Sequence, residues 1–250
     1  MVIGFESFSE WFRGYEDQYV IIGGTACNLL MSDEGLDFRA TKDIDVVLIV
    51  EAITPEFGRR FWEYIIQAEY EYQNKGSGMP QFFRFSNPKN SEYPFMIELF
   101  TRRIDAIHLP LDAVLTPLPV DEDISSLSAI LLDDDYYDLL REGRTESNRI
   151  TVLDVEYLIL FKAKAWLDMS VRKSVGGSVD SKSIRKHRND VFRLSALLGE
   201  NTKIAVTSQV ARDMQVFIED MKNEIIDTKQ LGLARTKDDI LAIFKEVYML

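Results

Sequence analysis

At 250 residues, with 46% hydrophobic and 28% charged side chains, the sequence has the make-up of one large or two modest folded domains, which excludes a disordered chain. A single cysteine, Cys27, excludes an internal disulfide and a multi-cysteine zinc site, and only His108 and His187 accompany it, so a catalytic metal must sit on oxygen ligands. A formal charge of −12 sets the surface as a whole against nucleic acid, so phosphate binding requires a local cationic patch or bridging metal ions. Acidity alone favours a cationic small substrate. No apolar stretch reaches the ~20 residues needed to cross a bilayer. Met1 to Glu6 has no basic region ahead of an apolar core, so no membrane span and a cytoplasmic address are expected.

Tyr19-Val20-Ile21-Ile22 is a short β-branched run closed by Gly23-Gly24, and Thr25 to Met31 reads as a helix starting at that turn. After a polar loop through Arg39, Ile44 to Val50 is apolar on both faces and predicts a central strand. Pro55 opens a helix through about Ala68, with Phe57, Phe61, Tyr64, Ile65 and Ala68 on one face. A loop from Asn74 to Pro80 leads to a strand at Gln81 to Phe85, and another from Ser86 to Pro94 leads to a strand at Phe95 to Phe100. Pro110, Pro117 and Pro119 break up the next stretch, before a helix around Ser126 to Leu132 and a short strand near Ile150 to Leu153.

From Asp154 the pattern turns helical: Val155 to Met169, Ser183 to Leu198, Ser208 to Ile226 and Lys237 to Val247. Asp154 and Ser181 to Ser183 are the expected caps, and Gly199 and Gly232 the expected stops. The expectation is an α+β fold, with a mixed sheet and flanking helices over residues 1–153 and a C-terminal helical domain over 154–250.

Asp43 and Asp45 lie two apart where a strand begins, so both carboxylates point to one face while Ile44 points into the core. Such a pair suits Mg²⁺ or Mn²⁺, completed by substrate phosphate oxygens. Alone it reads more readily as a solvated strand end than as a metal site: among 41 acidic residues, Asp121/Asp123 and Asp133/Asp135 share the spacing. Upstream, Gly23-Gly24 lead into a helix whose free N–H groups and dipole favour a triphosphate, though a tight strand-to-helix connection explains the glycines as well. A third carboxylate is expected from Glu98, whose strand neighbours are all apolar. A charge there is either desolvated at a cost of several kcal/mol or held by a cation, as metal ligand or as the base for an attacking hydroxyl.

Ile22-Gly23-Gly24-Thr25-Ala26 followed by Thr41-Lys42-Asp43-Ile44-Asp45-Val46 resembles the signature of the DNA polymerase beta nucleotidyltransferase superfamily, with Glu98 at its third-carboxylate position. The second half is similar to the AbiEii-like group, whose members are known as toxins of type IV toxin-antitoxin systems. In that group a helical Lys and a later Lys/Arg-Asp motif accompany the metal pair. Glu156 to Trp166 matches the first through Lys162, and Lys186 to Leu194 matches the second through Asp190, except that Asn189 stands where a basic residue is commoner.

The resemblance implies an NTP substrate, with Asp43, Asp45 and Glu98 as metal ligands and Gly23, Gly24 and Thr25 around the phosphates; Arg39, just before Thr41-Lys42-Asp43, fits a brace for the metal loop or a phosphate as well as an exposed loop arginine. Lys162 neutralises phosphate charge, and Asp190 orients Lys162 or an incoming hydroxyl. RNA is the acceptor this suggests, and a cognate antitoxin the partner. Read physically, Lys162 either snorkels from a core face or aims into a cleft, with Lys164 as competitor, and Asp190 also fits a helical ion pair with Lys186 or Arg193. Arg172, Lys173, Lys182, Arg185, Lys186, His187 and Arg188 form a basic segment that suits phosphate as well as it suits a solvated face. The alternatives are an antibiotic (aminoglycoside-like) nucleotidyltransferase, and a nucleotide- or partner-binding module without turnover.

Overall fold

A computed structural model describes residues 3–71, 82–102, 127 and 129–250. Several expectations lie outside the described residues: the loop Asn74 to Pro80, Gln81, His108, the stretch with Pro110, Pro117 and Pro119, and Asp121/Asp123. Of the helix expected at 126–132, residues 127 and 129–132 are described, and they are helical.

The chain divides into two compact units, one of Met1–Val120 with Arg144–Asp154, the other of Asp121–Gly143 with Val155–Leu250. In the first, helix α1 (Phe5–Trp11) precedes strand β1 (Tyr19–Ile22), helix α2 (Gly23–Asp33), strand β2 (Asp43–Leu48), helix α3 (Pro55–Gln67) and strands β3 (Phe82–Ser86) and β4 (Met96–Phe100). Strands β5 (Arg144–Ser147) and β6 (Ile150–Leu153) complete a mixed six-stranded sheet of order β3-β4-β2-β1-β6-β5. The pairs β1/β2, β3/β4 and β5/β6 are antiparallel, while β2/β4 and β1/β6 are parallel.

Apolar residues on both faces place β1 and β2 in the middle of the sheet: all four β1 residues are buried, as are Ile44, Val46, Val47 and Leu48 of β2. Helix α3 starts where Thr54 accepts a hydrogen bond from the Phe57 amide and Pro55 supplies a preset φ. Its apolar stripe buries Phe57, Phe61, Tyr64 and Ile65, and Phe57, Phe61 and Tyr64 meet Phe12 of the segment after α1 in an aromatic core with ring centroids 5.3 to 5.8 Å apart. Helix α1 was not anticipated. It is a single short amphipathic stretch entered through Gly4 in the left-handed region, without a side-chain cap.

The second unit is helical. Helix α4 (Asp134–Glu142) is capped by Asp133, whose carboxylate accepts from the amides of Asp135 and Tyr136. Helices α5 (Val155–Ser174), α6 (Ser181–Leu194), α7 (Ser208–Asn223) and α8 (Lys237–Val247) follow, with a 3-10 turn over Ser195–Leu197. The cap of α6 is Asp180, whose carboxylate accepts from the Lys182 amide, in place of the expected serines. Helix α7 ends at Asn223, so Gly232 is a turn residue further along and not its stop. Helix α5 is apolar nearly all round and buries Leu158, Ile159, Leu160, Phe161, Ala163, Ala165 and Trp166, as the central helix of a bundle does. Among the described residues no helix is long and apolar enough to cross a membrane.

Candidate active site

Strand register builds the centre of the site. Ile22 of β1, Asp45 of β2, Glu98 of β4 and Arg84 of β3 are Cα partners in one row across four strands, and Asp43 lies two pairs along, opposite Met96. Alternation puts Asp43 and Asp45 on the same face, both half-buried, with Ile44 buried between them. Neighbouring Cβ atoms in a row are about 5 Å apart, so Asp45 and Glu98 face one another across β2 and β4.

The glycines shape the floor of this face. Strand β1 runs into α2 without an intervening residue, and Gly23 takes φ +70°, a region that L side chains disfavour. A β-carbon on Gly23 would stand 1.7 Å from Asp45 Oδ2, so only glycine lets the helix start against that carboxylate. One on Gly24 would meet Thr41 Oγ1 at 3.0 Å and Arg39 Nη2 at 3.2 Å. The Asp43 and Asp45 strand, the Gly23-Gly24 helix start and the Arg39 guanidinium therefore form one surface. Thr25 is buried and its hydroxyl donates to the Asp43 carbonyl at 2.5 Å, so it fixes the aspartate strand instead of offering its hydroxyl to a phosphate. Arg39 is half-buried and lies over the Phe38 ring.

Glu98 is only 8% exposed. Arg84 donates to its Oε1 from Nε at 2.8 Å and reaches the same oxygen with Nη2 at 2.6 Å. Burial first, and then the Asp45 carboxylate beside it, push the Glu98 carboxyl up to about 8 against the opposing pull of Arg84. Sequence reasoning missed Arg84, although it is the one charged residue in Phe82-Phe83-Arg84-Phe85 and so had to find a partner.

Two oxygen donors on one face, backed by a like-charged third, fit a divalent cation. Among the described residues no group of three His, Cys, Asp or Glu side chains converges to hold a metal, but Mg²⁺ takes one or two protein carboxylates and leaves its other positions to water and phosphate oxygens. The donor set of Asp43 and Asp45 meets that requirement.

The other predicted residues belong to the helical unit. Lys162 Nζ on α5 donates to Asp190 Oδ2 on α6 at 2.9 Å, with the residues 4% and 0% exposed, and Arg193 Nη1 is 3.7 Å from Asp190 Oδ1. Lys164, the competitor for the role, is engaged elsewhere, 3.5 Å from Asp168 and 3.2 Å from Asp213. Burial opposes its charge, yet those two carboxylates together hold the ammonium above the usual lysine range. In the basic segment Lys182, Arg185 and Lys186 are exposed, Lys173 donates to Ser181, and Arg188 pairs with Glu224.

The family described as nucleotidyl transferase AbiEii toxin, Type IV TA system, matches residues 8–239. Among curated proteins no relative matches the chain. Two solved structures are similar to it. An antigenic nucleotidyltransferase-like protein from Paracoccidioides brasiliensis is 13% identical, with 98% of this chain and 94% of that one covered at a TM-score of 0.49. The antibiotic-resistance factor ANT(2'')-Ia is 10% identical, with 87% and 92% covered at a TM-score of 0.34.

Proposed function

We propose, from the premise that this chain belongs to the AbiEii nucleotidyl transferase toxin family of type IV toxin-antitoxin systems, that it moves a nucleoside monophosphate from an NTP to an acceptor hydroxyl with a divalent metal. The observation that carries this reading is the surface on which Asp43 and Asp45 stand beside Glu98 and against the Gly23 start of α2. Asp43 and Asp45 hold Mg²⁺ or Mn²⁺, and a divalent ion there supplies charge neutralisation and alignment for an in-line displacement at the α-phosphorus. The Gly23 and Gly24 amides at the uncapped helix start, with Arg39 above Gly24, receive phosphate oxygens. The acceptor oxygen forms a bond to the α-phosphorus, the bond to pyrophosphate breaks, and Glu98 takes the acceptor proton. Lys162, buried in an ion pair with Asp190, is the helical lysine of the family resemblance, and that pair supports the orienting role assigned to Asp190.

RNA is the acceptor we infer, with the exposed cations of α6 available to its backbone, and the cytoplasm, where NTP and RNA meet, is the compartment. A cognate antitoxin encoded beside this chain is the partner the family implies. The net charge of −12 favours a second reading, a cationic antibiotic of the aminoglycoside kind as acceptor. Incubation with each labelled NTP, Mg²⁺ and total RNA tests the first, and aminoglycosides in place of RNA test the second. Label transferred by the native chain and not by Asp43→Ala supports a transferase. Nucleotide binding without transfer to either acceptor leaves a binding module.

A further inference from the structure

The helical unit carries a cavity of its own, of about 300 Å³, lined by Trp166 and Lys173 of α5, Ser181, Arg185 and Arg188 of α6, and Glu224 just after α7. It lies past the Lys162–Asp190 pair toward the connection of the two helices: Trp166 is one turn and Lys173 three turns beyond Lys162, the latter about 16 Å along the axis. The walls are held in place. Trp166 is 6% exposed and meets Phe217 edge-on, with ring centroids 5.5 Å apart. Arg188 is gripped from two sides, by Glu224 through Nη1 and by Asn189 Oδ1 through Nε and Nη2 at 3.3 and 3.2 Å. Lys237 Nζ donates to the Glu224 carbonyl at 3.0 Å, and Lys173 donates to Ser181. Among the described residues neither the Trp166 indole N–H nor the Arg185 guanidinium has a hydrogen-bond or ion-pair partner, although a tryptophan this buried ordinarily finds one.

We propose that this cavity binds a phosphate monoester, at a site built from none of the residues of the metal face and independent of the transfer chemistry. Three cations, Lys173, Arg185 and Arg188, stand against one carboxylate, Glu224, which leaves two positive charges unbalanced in a chain whose net charge is −12. A phosphate monoester carries about −1.5 to −2 at neutral pH and matches that excess. An internal RNA phosphodiester carries a single charge and continues on both sides, so it suits an open track of cations and not a cavity. The donors suit a phosphate group: Arg185 offers a planar fork, Lys173 a point charge and the Trp166 indole a single directed N–H. Arg188 keeps N–H groups on both Nη1 and Nη2 beyond those given to Glu224 and Asn189. The 5′ end of an RNA and a free nucleoside monophosphate present the same group, and about 300 Å³ is the lower end of the range for small-molecule sites.

The test uses the full chain without divalent metal or NTP. One short RNA oligonucleotide, with either a 5′-phosphate or a 5′-hydroxyl, is titrated by fluorescence anisotropy of a 3′ label, and AMP and adenosine are titrated by calorimetry. The phosphorylated form of at least one pair, RNA or nucleoside, is expected to bind about tenfold tighter or more, as loss of a charge-assisted hydrogen bond would predict for the other form. Arg185→Gln and Lys173→Gln are each expected to remove most of that preference. Trp166→Phe, which keeps an aromatic ring and deletes the N–H, is expected to reduce it about threefold. Thermal unfolding of each variant establishes that it is folded. A preference confined to the RNA pair identifies a 5′ end as the ligand, and one confined to AMP over adenosine identifies a free nucleotide. Equal binding within both pairs overturns the proposal, as does a native preference in folded Arg185→Gln and Lys173→Gln. Asp43→Ala keeps the preference whether or not the chain proves to be a metal-dependent transferase, so failure of that reading is distinct from failure of this one.

Discussion

Gly23 and Asp45 are so close that a single methyl group on the glycine would occupy the place of a carboxylate oxygen. Gly23→Ala therefore meets two penalties, the clash with Asp45 Oδ2 and a positive φ, each of about 1–3 kcal/mol. Denaturant unfolding is expected to show a loss of about 2–4 kcal/mol, and transfer activity is expected to vanish because Asp45 is displaced. Gly24→Ala meets only the movable ends of Thr41 and Arg39, and its loss in unfolding free energy should be under about 1 kcal/mol.

Lys162 and Asp190 are sealed from solvent, so removing one charge leaves the other uncompensated. Such changes cost about 3–5 kcal/mol, and Arg193 beside Asp190 places Lys162→Ala near the lower end, about 3 kcal/mol by urea titration. Replacing both partners, Lys162→Met with Asp190→Leu, removes the stranded charge and should recover most of that loss. A double variant as unstable as Lys162→Ala would show that these positions matter through shape and not charge.

Asp45 sits beside a buried like charge, an arrangement that favours function over stability. In metal-free protein at about pH 9, above the raised Glu98 value, Asp45→Asn is expected to raise the unfolding free energy by about 1 kcal/mol by relieving the repulsion with ionised Glu98, a gain that disappears at about pH 6 where Glu98 is protonated, while transfer falls at least about a hundredfold. A lower melting temperature for Asp45→Asn would mean that the carboxylate makes compensating contacts that outweigh the repulsion.

Thr25 ties the start of α2 to the strand that carries both aspartates. Thr25→Val removes the hydroxyl, leaves the Asp43 carbonyl without that donor and should cost about 1–2 kcal/mol in thermal unfolding. Thr25→Ser keeps the bond and should keep most of both stability and activity.

Much of this architecture is legible from the sequence where local chemistry is strong. The boundaries of β6 and α8 follow from a short β-branched run and from a capping box in which Thr236 and Asp239 exchange hydrogen bonds. Other elements were hidden. The Asp133 cap and first turn of α4 lie in a run of three aspartates that reads as a solvated edge, and β5 is polar on its outer positions. For the site, burial of Glu98 could be read from its apolar neighbours, but Arg84 as its partner depends on antiparallel register between β3 and β4. Lys162 and Asp190 are 28 positions apart and meet only through the packing of α5 on α6. Pairings set by long-range geometry leave no periodic trace along the chain.

The interleaving of the two units limits how this protein can be taken apart. The chain passes from the sheet unit to the helical unit after Val120, returns at Arg144 for β5 and β6 and leaves again after Asp154. No single cut separates the units. A fragment ending at Leu153 keeps α4 without the helices of its own unit, and one ending at Val120 lacks the two strands that close the sheet beside β1. To express either unit alone, a designer would have to excise an internal segment and rejoin the chain. During synthesis, likewise, β1 waits for its parallel neighbour until the ribosome has passed residue 153.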